Sequence, residues 1–83
     1  MKTRSATEWR HFWRDRGERE LASLLDEFAP HATRVATLLG SRASLGALAS
    51  ELARIREHEL RRAPDPSRDT EVARRIHAWF ARA

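Results

Sequence analysis

The chain has 83 residues, 16 basic and 12 acidic side chains, a net charge of +4 and no cysteine. Disulfides, thiolate chemistry and cysteine-bound zinc are therefore excluded, and no run approaches the roughly 20 apolar residues of a membrane-spanning helix. The sequence pI of about 11.2 overstates the basic character. Arginine supplies every basic residue except Lys2, and its very high pKa lifts the pI of any chain with a modest positive excess.

Beside those arginines stand fourteen alanines, a bias expected of a GC-rich bacterial genome. No block of five like charges occurs, so there is no basic tail. The start, MKTRSATEWR, has no apolar signal-peptide region after its charges, so a cytoplasmic location is expected. Length and composition predict one helical domain over residues 1–83.

Helical spacing recurs along the whole chain and no segment alternates at period two, which predicts an all-α protein, a compact bundle of four to five short helices. The first helix is expected from Ser5. SATE is a capping box, and Trp9, Phe12 and Trp13 then share one face. The next stripe, Leu21, Leu24, Leu25 and Phe28, is rotated by roughly 110° from the first. A bend or break near Gly17 is therefore expected, with helices at 5–16 and 18–28. On the outer face, Arg14–Glu18, Asp15–Arg19 and Arg16–Glu20 stand four residues apart.

The third helix is read in APHATRVATLLG, with Pro30 in its first turn and Gly40 as a left-handed C-terminal residue. The fourth starts near Ser44, with Leu45, Leu48, Ala49, Leu52 and Ile55 as its stripe and Gly46 as a point of close approach. APDPSRD is the clearest loop, with Ser67 and Asp69 competing to cap a fifth helix over residues 68–81. That helix presents Val72, Ile76, Trp79 and Phe80. The three rings of the first helix are expected to pack on the fourth and fifth helices, leaving Arg10 and Arg14 in water.

The chemistry-bearing residues form no recognisable constellation. His11, His31, His58 and His77 make no H-x-x-x-H pair, so no metal site is expected. Asp26 and Glu27 are adjacent and diverge on a helix, and there is no glycine-rich phosphate loop. No catalytic residue, metal ligand or cofactor-binding residue is assigned, no cofactor is expected, and the chain reads as a non-enzyme.

The segments RVATLLGSRASLGALASELARI and PDPSRDTEVARRIHAWF, behind the Trp/Arg-rich start, resemble a group of small bacterial helical proteins of unknown function. Leu38-Leu39, Ala43-Ser44, Asp65-Pro66, Asp69, Val72-Ala73, Ile76 and Trp79 carry the resemblance. It implies a small binding protein, since some similar domains are thought to be immunity partners of polymorphic toxins. Those relatives tend to be acidic, whereas this chain is basic.

The reading of the whole is a protein-binding domain, immunity-like or accessory. Nucleic-acid binding through scattered surface arginines is the alternative. The candidate binding surface is Arg10, Arg14, Arg54, Arg61, Arg62, Arg74 and Arg75. The expected partner is another protein, with nucleic acid or a second copy of the chain as the alternatives and no membrane. Helices three and four have the outline of a helix-turn-helix. The start of the fourth, Leu45-Gly46-Ala47-Leu48, offers nothing to a base edge.

Overall fold

A computed structural model describes residues 5–82. Its α-helices are α1 (Ala6–Phe12), α2 (Glu18–Leu25), α3 (Ala32–Gly40), α4 (Leu45–His58) and α5 (Pro66–Arg82). They are not four or five separate rods. A π-turn over Trp13–Gly17 joins α1 to α2, and a 3₁₀ segment over Asp26–His31 joins α2 to α3. Three helical stretches result, and the described residues contain no strand. The all-α expectation holds; the helix count does not.

The first helix starts as its sequence dictates. Glu8 N–H donates to Ser5 Oγ at 3.1 Å and Ser5 N–H donates to Glu8 Oε1 at 3.2 Å, closing the capping box. The bend or break expected near Gly17 is found as an irregular turn that keeps α1 and α2 joined. Glu18 N–H reaches back to the Trp13 carbonyl, an i to i+5 bond. A π-turn takes in one residue more than an α-turn, so everything after it is turned back by about 100°. That removes nearly all of the mismatch between the two apolar stripes.

Gly17 makes the turn possible. It is buried, and a Cβ placed there would stand 2.8 Å from Phe12 Cε2. The glycine lets the Phe12 ring lie over the turn and reach the core.

Sequence position misplaced several punctuation marks. No glycine has positive φ; the left-handed residues are Asp26 (φ 51°), Arg42 (φ 61°) and Arg61 (φ 53°). At the end of α3, Ala43 N–H bonds the Leu38 carbonyl at 3.1 Å and Arg42 N–H bonds the Leu39 carbonyl at 3.0 Å. This is a Schellman ending with Arg42, not Gly40, in the position that favours glycine. Gly40 lies inside the last turn of α3, and a Cβ placed on Gly46 would have Ser44 Oγ at 3.9 Å as its nearest contact from outside the helix backbone, so no close approach requires that glycine. Pro30 falls in the 3₁₀ segment ahead of α3.

Ser44 caps α4 as expected, accepting from Ala47 N–H at 3.1 Å. Helix α5 starts earlier than expected. Asp65 Oδ1 accepts from Arg68 N–H at 3.1 Å, and Pro66 occupies the first helical position, where a missing N–H costs nothing. Neither Ser67 nor Asp69 is the cap.

One apolar cluster fills the interior. Leu21 and Leu25 from α2, Phe28 from the 3₁₀ segment, Val35 and Leu39 from α3, Leu48, Leu52 and Ile55 from α4, and Val72 and Ile76 from α5 all contribute. Burying each such side chain is worth about 1.5–3 kcal/mol. Helix α5 packs along α4 and against α2, which makes it the element that ties the first stretch to the second. No described helix is long and apolar enough to cross a membrane.

Candidate functional site

Two groups of side chains stand out: an ionic knot that locks the fold, and an aromatic junction at the end where α1 meets α5. The knot is centred on Arg56 of α4. Its Nε donates to Asp69 Oδ1 and its Nη2 donates to Glu27 Oε2, both at 2.8 Å, while the guanidinium lies 5.1 Å from the centre of the Phe28 ring. Arg68 extends the knot through Nη2 to Asp26 Oδ2 at 2.7 Å and to Glu27 Oε1 at 3.2 Å. Arg75 closes it on Asp26 at 3.4 Å, on Glu71 at 3.0 Å and on the Leu24 carbonyl at 3.2 Å.

Burial pushes Glu27 toward its neutral form, but the hydrogen bonds from Arg68, its own backbone amide and Arg56 outweigh it, and its pKa falls from 4.5 to about 2. Burial also works against the charge of Arg56, yet Asp69 and Glu27 raise its pKa. Arg68 is raised as well, first by its hydrogen bond to Glu27. These carboxylates are neutralised partners of the arginines and are not arranged as an acid–base pair. Among the described residues, Asp69 Oδ2 is a buried side-chain oxygen without a hydrogen-bond partner. Among the described residues, no three of histidine, aspartate and glutamate converge as a metal site would require.

The aromatic junction holds five rings. Trp9 lies 5.5 Å from Phe12, 6.2 Å from Trp13, 6.4 Å from Trp79 and 5.3 Å from Phe80, and Phe12 lies 6.0 Å from Trp79. These separations suit tilted and edge-to-face contacts. Phe12 and Trp79 are buried, whereas Trp9, Trp13 and Phe80 are only half covered. The rings of α1 and the π-turn thus meet those of α5, and Trp9 and Trp13 are partly buried against the core. Arg10 and Arg14 are exposed, as expected.

The candidate arginines fall on several elements. Arg10 is on α1, Arg14 in the π-turn, Arg54 on α4, Arg61 and Arg62 between α4 and α5, and Arg74 and Arg75 on α5. Arg54 is spent on Glu51 at 2.8 Å, which lowers the Glu51 pKa and raises that of Arg54. Arg75 belongs to the knot. Arg61 and Arg62 are exposed, and the backbone N–H of Arg62 closes the end of α4 on the Arg56 carbonyl at 2.9 Å. Arg74 is exposed. Of the surface pairs expected on the first helix, Arg16–Glu20 forms at 3.9 Å, and Arg19 bonds the Asp15 carbonyl instead of its carboxylate.

The sequence pattern gave Asp69 a capping role and Arg56 none, and neither was expected to be buried. The signal was there: Arg56 follows Leu52 by four on the apolar stripe of α4, and Asp69 precedes Val72 and Ala73 by three and four on that of α5. Two opposite charges, each in line with a buried stripe, point to each other. The chain matches no known protein family, no curated protein and no solved structure.

Proposed function

We propose that the chain is a small non-enzymatic protein-binding domain of the cytoplasm, immunity-like or accessory in kind, as its resemblance to small bacterial helical proteins implies. The observation that carries the reading is the open side of the aromatic junction. Trp9, Trp13 and Phe80 are packed against the core but only partly buried, beside the exposed Arg10 and Arg14. Aromatic and arginine side chains are enriched where proteins meet, and large rings at the centre of a patch carry most of its energy. Phe12 and Trp79 already complete the core at this end, so the remaining rings are available to a partner.

Nucleic-acid binding is the second reading. It is favoured by the exposed Arg61, Arg62 and Arg74 and weakened by the carboxylates that take up Arg54 and Arg75. A photo-crosslinking residue in place of Arg10 in producing cells, compared with the same residue in place of Arg42, tests the choice. A protein adduct formed only at position 10, and lost when Trp13→Ala is added, is expected. Equal adducts at both positions, an adduct to nucleic acid, or one only to a second copy of the chain would overturn the reading.

A further inference from the structure

Beside the aromatic junction, two helices border a shallow groove. Arg16 from the π-turn, Arg19 and Glu20 from α2, and Arg82 from the last turn of α5 rim a floor of Leu24 and Trp79. The rim thus carries three guanidiniums and one carboxylate. That carboxylate is already engaged: Trp79 Nε1 donates to Glu20 Oε1 at 3.0 Å, and Glu20 Oε2 faces Arg16 Nε at 3.9 Å. Arg16 also lies 5.5 Å from the centre of the Phe12 ring, which holds it at the rim. Arg19 donates to a neutral acceptor, the Asp15 carbonyl, at 2.9 Å. Arg82 has no carboxylate partner among the described residues.

The contrast with the ionic knot decides what the groove is for. In the knot Arg56, Arg68 and Arg75 meet Asp26, Glu27, Asp69 and Glu71, so charge is cancelled from within. At the groove, positive charge is left over above an apolar floor. A guanidinium is planar and matches a carboxylate through two parallel hydrogen bonds. Single-stranded nucleic acid would need an open ring face to stack on. The one ring that lines the groove, Trp79, offers none, being 7% exposed.

We infer that this groove receives a carboxylate-rich segment of a partner protein, with acidic side chains on Arg16, Arg19 and Arg82 and an apolar side chain over Leu24, at the edge of the buried Trp79. The inference rests on the protein-binding reading and names the chemistry of the partner.

The test is fluorescence anisotropy with three labelled probes: a short glutamate-rich peptide with interspersed leucines, its glutamine counterpart, and a random DNA duplex, each at about 150 mM salt. The glutamate peptide should bind at least about tenfold tighter than either other probe. The double variant Arg19→Glu/Arg82→Glu should weaken it by about tenfold, and Arg42→Glu/Arg61→Glu, which changes net charge equally, should alter it by less than about twofold. Arg82→Gln alone, an exposed change in a last helical turn, should weaken it by about threefold and guards against loss of fold in the double variant. No preference for glutamate, equal losses in both double variants, or tighter binding of the duplex would overturn the inference. So would a crosslinked partner at position 10 that survives Arg19→Glu/Arg82→Glu but is lost with Trp13→Ala, an outcome that leaves the protein-binding reading intact.

Discussion

Arg56 Nε donates to Asp69 Oδ1 at 2.8 Å with the two side chains 6% and 2% exposed, which makes this pair the buried ionic contact between α4 and α5. Removing one member strands the other in a place water does not reach. Arg56→Met should therefore cost about 3–5 kcal/mol. Adding Asp69→Ala should recover a large part of that loss, because the uncompensated charge goes with it. Urea denaturation of the two variants checks both values; equal destabilisation in the single and double variants would contradict the pairing.

Glu27 gives the fold an acid dependence with a defined sign. Its folded pKa of about 2 lies below its ordinary 4.5, so its contribution is complete above 4.5 and is lost as pH falls toward 2. On the order of 2 kcal/mol is at stake, after discounting for partial contact with solvent. Stability measured from neutral pH downward should hold nearly level and then fall across that window. Glu27→Gln should be less stable at neutral pH and show a flatter acid limb.

Gly17→Ala sets a helix-favouring change against a clash. Alanine gains up to about 1 kcal/mol of helix propensity. Its methyl group would meet the Phe12 ring at 2.8 Å, and that ring is fixed by Trp9 and Trp79. Overpacking of this kind costs about 1–3 kcal/mol, so the variant should be less stable than the parent. Combining it with Phe12→Leu should reduce the penalty of the alanine, a coupling that a double-mutant cycle measures directly.

Arg42 and Arg61 hold left-handed backbone that suits glycine, and both residues are exposed. Relief of that strain outweighs the added freedom of the unfolded chain. Arg42→Gly and Arg61→Gly should each stabilise the protein by about 0.5–1 kcal/mol in thermal unfolding.

The three tryptophans should separate by burial. Trp79→Ala removes a closed ring and should cost about 3–5 kcal/mol. Trp13, half covered, should cost about half as much or less and leave a folded protein for the binding tests. Iodide quenching should reach Trp9 and Trp13 more readily than Trp79.

Local rules explain what could be read along the chain. The Ser5–Glu8 capping box, the Ser44 cap and the inward face of Val72, Ile76 and Trp79 all lie within a few residues of their causes. The π-turn did not, because a phase mismatch of stripes is compatible with either a break or an extra residue, and only the fit of Phe12 over Gly17 chooses between them. Arg56 looked like any other arginine in composition; its burial depends on Asp69 and Glu27, thirteen and twenty-nine residues away. The exposure of Arg10 and Arg14 was legible, because both lie on the outer face of a helix that could be placed. Arg75 was misjudged because its partners, Asp26 and the Leu24 carbonyl, come from a corner the pattern had drawn as continuous helix.

The π-turn also determines how this chain tolerates changes in its length. One residue removed between Trp13 and Gly17 would restore ordinary helical pitch and swing everything before it through about 100°, carrying Phe12 off the interior. One residue added to most helices would do comparable harm, whereas here the surplus is already absorbed. The segment ahead of Gly17 is thus held by a count of residues as well as by contacts, and Phe12 reaches the core only while that count is kept.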